Sequence, residues 1–112
     1  MGKSSREKGK RGELELVAEL RRLGFDNVRR AQQYCGTESS ADILGLKNVH
    51  IECKRCESLS IYQAMQQATR DAGETHDIPV VIHRRSRQPW LVVMGLEDWA
   101  KMYQTYIDQE NK

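Results

Sequence analysis

The stretch of residues 41–54, ADILGLKNVHIECK, constrains the fold of this chain more than any other segment. Its β-branched and apolar residues on either side of Asn48, a residue typical of turns, predict strand, turn and strand rather than a helix. Because side chains alternate along a strand, Glu52 and Lys54 should lie on one face and Ile51 on the other. We therefore expect a β-hairpin whose second strand carries an acid and a lysine as neighbours.

Asp42 opens the first strand of this hairpin. Antiparallel pairing about residues 47–48 would bring its carboxylate to the far end of the second strand, where Glu52 lies. Two carboxylates beside Lys54 on an apolar scaffold lose hydration energy, and a bound hard cation such as Mg²⁺ would compensate. Hydrolysis of a phosphodiester needs such a cation and an activated water. The pattern predicts that Asp42, Glu52 and the backbone carbonyl of Cys53 bind Mg²⁺, while Lys54 orients or helps to deprotonate the water.

The length of 112 residues and the apolar content of 38% fit one globular domain. No apolar run approaches the roughly 20 residues of a membrane span, and the polar N-terminus lacks a secretory signal. We therefore expect no membrane partner. Three cysteines, an odd number without a regular framework, favour a reducing compartment such as the cytoplasm.

Positive charge is concentrated at the N-terminus. Five basic residues against Glu7 give residues 1–12 a net charge of +4, and the remainder carries 13 basic and 15 acidic residues. Residues 1–11 lack apolar periodicity and predict a flexible basic arm, which would contact phosphates or simply keep the chain in solution. The candidate phosphate contacts, in the arm and beyond it, are Lys8, Lys10, Arg11, Arg30 and Arg55.

Apolar residues at helical spacing predict a first helix over residues 13–23, and they are Leu16, Val17, Leu20 and Leu23. Glu13 lies on this apolar face, one turn before Leu16 and Val17. The helix dipole favours an acid in the first turn, which is one explanation of Glu13. An acid on a buried face otherwise needs a partner, and a metal site on the neighbouring sheet would supply one.

A second helix is predicted over residues 61–72, with Gly73 as its stop. Ser60 and Gln63 have the spacing of a capping box, which explains Gln63 without catalysis. Gln67 flanks the apolar stripe of this helix, and from there it would reach the end of the sheet that carries the hairpin acids. We consider it a candidate catalytic residue, with an exposed helical glutamine as the alternative.

A strand over residues 27–33, a second hairpin over 80–84 and 90–94, and a last helix over 96–108 complete the chain. The predicted order is α-β-β-β-α-β-β-α in a single domain over residues 12–112, with a parallel crossover between the third and fourth strands. The last helix should bury an apolar stripe formed by Leu96, Trp99, Ala100, Tyr103, Tyr106 and Ile107.

Cys53 and Cys56 form a lone CxxC pair, and His50 shares the strand face of Glu52. A structural zinc site needs four ligands, and strand alternation turns Cys53 toward the core and away from Cys56. Both points argue against a site built on thiolates. His50 lies by the turn, where a surface or packing histidine is the better interpretation.

Asp42 and the ExK sequence at residues 52–54 resemble the PD-(D/E)xK nuclease superfamily, although Ala41 stands where that motif usually has proline. Within this superfamily, residues 8–17, KGKRGELELV, and residues 23–25, LGF, are similar to the first helix of archaeal-type Holliday junction resolvases. Small phage endonucleases share that organisation. The resemblance implies an α/β fold with a restriction-endonuclease-like core and a mixed central sheet.

The same resemblance implies a Mg²⁺-dependent endodeoxyribonuclease in which Mn²⁺ can substitute. It places Glu13 in the metal site and makes Gln67 an assistant to the catalytic set of Asp42, Glu52 and Lys54. The partner would be DNA, in particular branched DNA such as a Holliday junction, cut by a homodimer in the host cytoplasm. The alternatives are a nuclease acting on nicked, flapped or duplex DNA, and a catalytically inactive DNA-binding module of the same fold.

Overall fold

The structure, a computed structural model, describes residues 2–31 and 41–112, and for residues 2–6 it describes the backbone alone. Within these residues, three helices and five strands follow one another in the predicted order α-β-β-β-α-β-β-α. In chain order they are α1 (Gly2–Arg22), β1 (Arg29–Arg30), β2 (Ile43–Leu44), β3 (Val49–Arg55), α2 (Ile61–Ala72), β4 (Ile78–Arg84), β5 (Leu91–Met94) and α3 (Leu96–Glu110).

The five strands form one mixed sheet in the order β1-β2-β3-β4-β5. All neighbouring strands are antiparallel except β3 and β4, which are parallel. Helix α2 connects these two strands in the chain, so the predicted parallel crossover is confirmed. In the first hairpin Ile43 pairs with Ile51, which centres the connection on the predicted turn. Gly45 has a φ of 104° and Asn48 a φ of 71°, so two residues that tolerate the left-handed region shape this connection.

Helices α1 and α2 pack on opposite faces of the sheet. Leu16 of α1 belongs to the same buried cluster as Ile51 of β3, whereas Ala68 of α2 packs with Val81 of β4. Glu52 pairs in register with Val81. Because side chains alternate along a strand, the even-numbered residues of β3 face α2 and the odd-numbered residues face α1. This mixed sheet, with helices on both faces, is compatible with the restriction-endonuclease-like core.

The bounds of α2 agree with the prediction, and Gly73 ends the helix at a φ of 58°. The predicted capping box is wrong. Ser60 occupies the N-cap position with an extended backbone, but its side chain makes no capping hydrogen bond. Within the described residues, none of the helices combines the length and the apolar character needed to cross a membrane.

The start of α1 differs from the prediction. Residues 2–11, expected to form a flexible arm, belong to the helix. Lysine, arginine and glutamate are good helix formers, so a chain can remain helical where apolar periodicity, which reports only the buried face, has stopped. Gly12 packs so closely on β3 that a Cβ atom there would lie 2.6 Å from Cβ of Arg55. The helix therefore lies directly against the strand that carries the ExK residues.

The predicted burial of α3 is wrong. None of its residues, all of which the structure describes, is buried, and Trp99 remains 50% and Tyr106 60% exposed. The apolar stripe is present at the predicted spacing. Periodicity shows that a helix has a face suited to burial, but it does not show which element covers that face.

Candidate active site

Asp42 is held against β3 through its backbone and its side chain. Its N–H donates to the carbonyl of Ile51 at 2.8 Å, and its Oδ2 accepts a hydrogen bond from the N–H of Cys53 at 2.8 Å. Since Ile43 pairs with Ile51, the antiparallel register sets Asp42 across from Glu52. The hairpin thus brings the two carboxylates together as the sequence predicted, although they meet beside the middle of β3 and not at its far end.

Glu52 is only 3% exposed, although it is a carboxylic acid. Burial raises its pKa to about 8, and the negative charge and hydrogen bonding of Asp42 add to that rise. Asp71 of α2 raises the pKa further, while Lys54 lowers it. Two carboxyl groups in a poorly hydrated place resist ionising together, so this site favours the binding of a positive charge.

His50 is part of this site, although the sequence favoured a surface or packing role for it. It is 6% exposed, and its Nε2 lies 2.9 Å from Oε1 of Glu52. The residues are two apart on β3, so alternation puts both side chains on the face toward α2. The shared face was visible in the sequence. The sequence did not show that residues 50–52 of β3 are buried. Because they are buried, the two side chains on this face contact each other.

Lys54 and Gln67 meet as the sequence predicted. Nζ of Lys54 donates to Oε1 of Gln67 at 3.1 Å, which joins β3 to the middle of α2. Gln67 therefore lies at the sheet end that carries the hairpin acids, and the alternative of an exposed helical glutamine is wrong. A lysine ammonium has three N–H donors, so this contact fixes the side chain and leaves two donors for other partners.

Glu13 lies at the edge of the same site, on the opposite side of the hairpin from α2. Its side chain is 12% exposed, and Oε1 accepts a hydrogen bond from Nε of Arg30 at 2.7 Å. Burial raises the pKa of Glu13 despite this bond, and the charge of Asp42 raises it further. The first helix thus directs an acid toward Asp42, but Arg30, predicted to contact phosphate, lies against that acid.

A second group of charged residues, here called the arginine cluster, comprises Glu15, Arg55, Glu57 and Arg84. Glu15 pairs with Arg84, and its Oε2 lies 3.4 Å from Nε of Arg55. Arg55 also donates to Glu57 at 3.1 Å. Hydrogen bonds from the side chain and backbone of Ser86, followed by Arg55, lower the pKa of Glu57. In this cluster the acids and bases neutralise one another.

An open pocket of about 500 Å³ lies beside the arginine cluster. Lys8 and Arg11 of α1 line it together with Arg55 of β3. Three of the five predicted phosphate contacts therefore surround one concave surface. Lys10 is exposed on α1 and does not line this pocket.

The donor set fits a hard cation that needs few protein ligands. Among the described residues, no group of three or more His, Cys, Asp or Glu side chains is arranged to hold a metal ion. Mg²⁺, however, commonly uses one or two carboxylates and keeps several waters. Asp42 and Glu52 supply that number. Burial raises the pKa of the Cys53 thiol to about 12, which disfavours the thiolate in the metal-free protein.

Comparison with known families agrees with this geometry. A family model described as phage putative PDDEXK endonuclease matches residues 4–112, which include both site helices, the hairpin and α3. No curated protein and no solved structure matches the chain. The resemblance of the chain to the PD-(D/E)xK superfamily is confirmed by the family match. The chain belongs to the phage PDDEXK endonuclease family.

Proposed function

We propose that this protein is a Mg²⁺-dependent endonuclease that hydrolyses phosphodiester bonds in branched DNA. The observation that carries the proposal is the juxtaposition of Asp42 with the buried Glu52, next to a lysine that Gln67 holds in place. Paired carboxylates, a cation and an ordered lysine are the groups that phosphodiester hydrolysis requires.

Asp42 and Glu52 are the main proposed side-chain ligands of the cation. The backbone carbonyl of Cys53 and the carboxylate of Glu13 are proposed to supply the remaining protein ligands. The Cys53 N–H donates to Oδ2 of Asp42, which orients that carboxylate. Nε2 of His50 lies within hydrogen-bond distance of Oε1 of Glu52, and this contact orients the second carboxyl group. A bound Mg²⁺, or Mn²⁺ in its place, would stabilise negative charge on the phosphoryl oxygens and make a water more acidic.

Lys54 is the proposed partner of the attacking water. Gln67 takes one of its three N–H donors, so the remaining donors can bind a water or a phosphoryl oxygen at the end of β3. Burial on the α2 face limits the positions available to the ammonium group. A fixed donor of this kind contributes more to catalysis than a mobile surface lysine does.

Lys8, Arg11 and Arg55 are proposed to bind DNA phosphates at their shared pocket, with Lys10 as a further contact from α1. Arg30 would act mainly by balancing the charge of Glu13. The preference for branched DNA rests on the resemblance of the first helix to junction resolvases. A homodimer in the host cytoplasm would bring two active sites to paired strands.

A cleavage panel tests the proposal. The full chain is incubated with a four-way junction, a flap, a nicked duplex and a linear duplex of matched sequence, each with Mg²⁺ and with EDTA. The proposal expects metal-dependent cleavage that is fastest on the junction. Faster cleavage of the other substrates would support the same chemistry with a different DNA structure as its target.

An inactive DNA-binding module is separated from these nucleases by a metal titration. Calorimetry with Mg²⁺ and Mn²⁺ should show binding to the wild-type protein and none to Asp42→Ala. Binding of DNA without binding of either cation, and without cleavage, would replace the nuclease by the inactive module.

A further inference from the structure

Helix α3 carries an apolar seam that the described parts of the chain leave uncovered. Leu96, Trp99, Tyr103 and Tyr106 recur at spacings of three, four and three residues, which is the heptad pattern of two helices that pack along their length. These side chains are 76%, 50%, 48% and 60% exposed. The rings of Trp99 and Tyr103 stack at 5.2 Å, so the seam presents a continuous aromatic surface.

A helix in this state is short of stabilising contacts. It has 15 residues and buries none of them. Isolated helices of about 12–15 residues are marginal in water, and most helices in proteins depend on packing of an apolar face. Large exposed apolar patches commonly mark interaction sites. The pattern and the exposure therefore indicate a surface that is completed by a partner.

The charge of α3 excludes nucleic acid as that partner. Glu97, Asp98, Asp108 and Glu110 against Lys101 give the helix a net charge of −3. A surface of this sign repels phosphates, and the basic residues proposed to bind DNA lie on other elements.

We infer that the α3 seam is the surface through which two copies of this chain form a homodimer. The positions that flank the seam are Ala100, Met102, Ile107 and Gln109, all uncharged. Glu97, Asp98 and Asp108 lie outside the contact, and Glu110 lies exposed at the C-terminal end of the seam, so two acidic helices can meet along it with little repulsion. A heptad seam is also complementary to itself, as a twofold interface requires.

The size of the seam suits a pair of copies. With Met102, which is 48% exposed, its residues present roughly 600 Å², so pairing would remove at most about 1,200 Å² from water, the lower end for specific interfaces. The assignment does not depend on the nuclease proposal. It concerns α3 alone, and it can be tested without DNA or metal.

Sedimentation velocity of the full chain over a range of concentrations tests this inference. The wild type should form a dimer of twice the chain mass. Tyr103→Glu should raise the dissociation constant about 30-fold or more, because it places a charge at the centre of the seam. Thr105→Glu adds the same charge on the far side of the helix, and it should dimerise like the wild type.

Trp99 provides a second readout. Its fluorescence should shift to shorter wavelength as the wild type associates, and it should not shift in Tyr103→Glu. Circular dichroism checks that Tyr103→Glu remains folded, and Leu96→Glu, at the other end of the seam, replaces it if it does not. A wild type that stays monomeric at about 100 µM, or seam variants that dimerise as tightly as the wild type, would overturn the inference.

Discussion

Two groups of charged side chains lie close together around β3, yet their electrostatics are opposite. In the first group the charge of Asp42 acts on both Glu13 and Glu52, and burial together with that charge raises the pKa values of both. In the arginine cluster, Glu15 and Glu57 are paired with arginines, and the pKa of Glu57 is lowered. One group has an excess of negative charge in a buried place, and the other is balanced near the surface.

The difference separates a site suited to chemistry from one suited to structure. Ionising a second buried carboxylate beside Asp42 costs free energy in the metal-free protein, and a cation would recover that cost. The arginine cluster has no such deficit, so a metal cation would gain little there. Perturbed carboxylates therefore mark a candidate active site more clearly than the number of charges does.

The largest effect is expected from Asp42→Ala and Lys54→Ala, and it is a loss of DNA cleavage. Each should reduce Mg²⁺-dependent hydrolysis by about 10³-fold or more, because the first removes a proposed metal ligand and the second removes the proposed donor to the water. Cleavage of a labelled four-way junction under single-turnover conditions measures this loss. Circular dichroism should show a retained fold in both variants. Wild-type cleavage by either variant would sink the proposed roles of these residues.

The next effect concerns pH and the metal-free protein. The pKa of Glu52 is raised to about 8 in the folded state from its ordinary value of 4.5. Between these values the folded chain binds the proton more tightly than the unfolded chain does. Its stabilising contribution is therefore fully present below about pH 4.5 and is lost as the pH rises through 8. Each pH unit in this window should lower the free energy of unfolding by up to about 1.4 kcal/mol.

Glu52→Gln isolates this effect because glutamine does not titrate. Urea unfolding in EDTA at several pH values should show a steeper loss of stability in the wild type than in the variant. Asp42→Ala should give an intermediate slope, since the charge of Asp42 contributes to the shift. Equal slopes in the wild type and Glu52→Gln would mean that Glu52 ionises normally, and the contrast with the arginine cluster would disappear.

The sequence was sufficient to bring Asp42, Glu52 and Lys54 together because their placement depends on local rules of strand pairing. Alternation along β3 put Glu52 and Lys54 on one face, and the turn after Leu46 set the register that brings Asp42 opposite Glu52. Gln67 needed one more step, a parallel crossover that lays α2 over the sheet, and the structure contains that connection.

The remaining features depend on contacts that no local pattern specifies. His50 contacts Glu52 because both residues are buried, and strand alternation alone does not show which residues are buried. The helical state of residues 2–11 has no apolar signal of its own. Helix α3 shows the opposite. Its apolar residues recur at helical spacing and predict a buried face, but no element of the described chain packs over that face enough to bury any of its residues.

His50→Leu should weaken the site without abolishing it. Removing a group that orients a metal ligand typically reduces metal affinity by about 10–100-fold, and calorimetry with Mn²⁺ would measure this directly. His50→Gln, which keeps a polar nitrogen within reach of Glu52, should recover part of the affinity. Unchanged affinity in His50→Leu would assign the histidine to packing alone.

The smallest effect is expected in the arginine cluster, from Glu15→Gln. This change weakens the pairs with Arg84 and Arg55, which are partly exposed, so the free energy of unfolding should fall by only about 1 kcal/mol. Nε of Arg55 is buried and makes no hydrogen bond within the described structure. Part of the loss should therefore come from removing the negative charge of Glu15, which lies 3.4 Å from this atom. Urea unfolding measures the change, while cleavage at saturating DNA should stay within about twofold of the wild type. A loss of cleavage as large as that of Lys54→Ala would show that the arginine cluster takes part in the reaction, and the division between the two groups would fail.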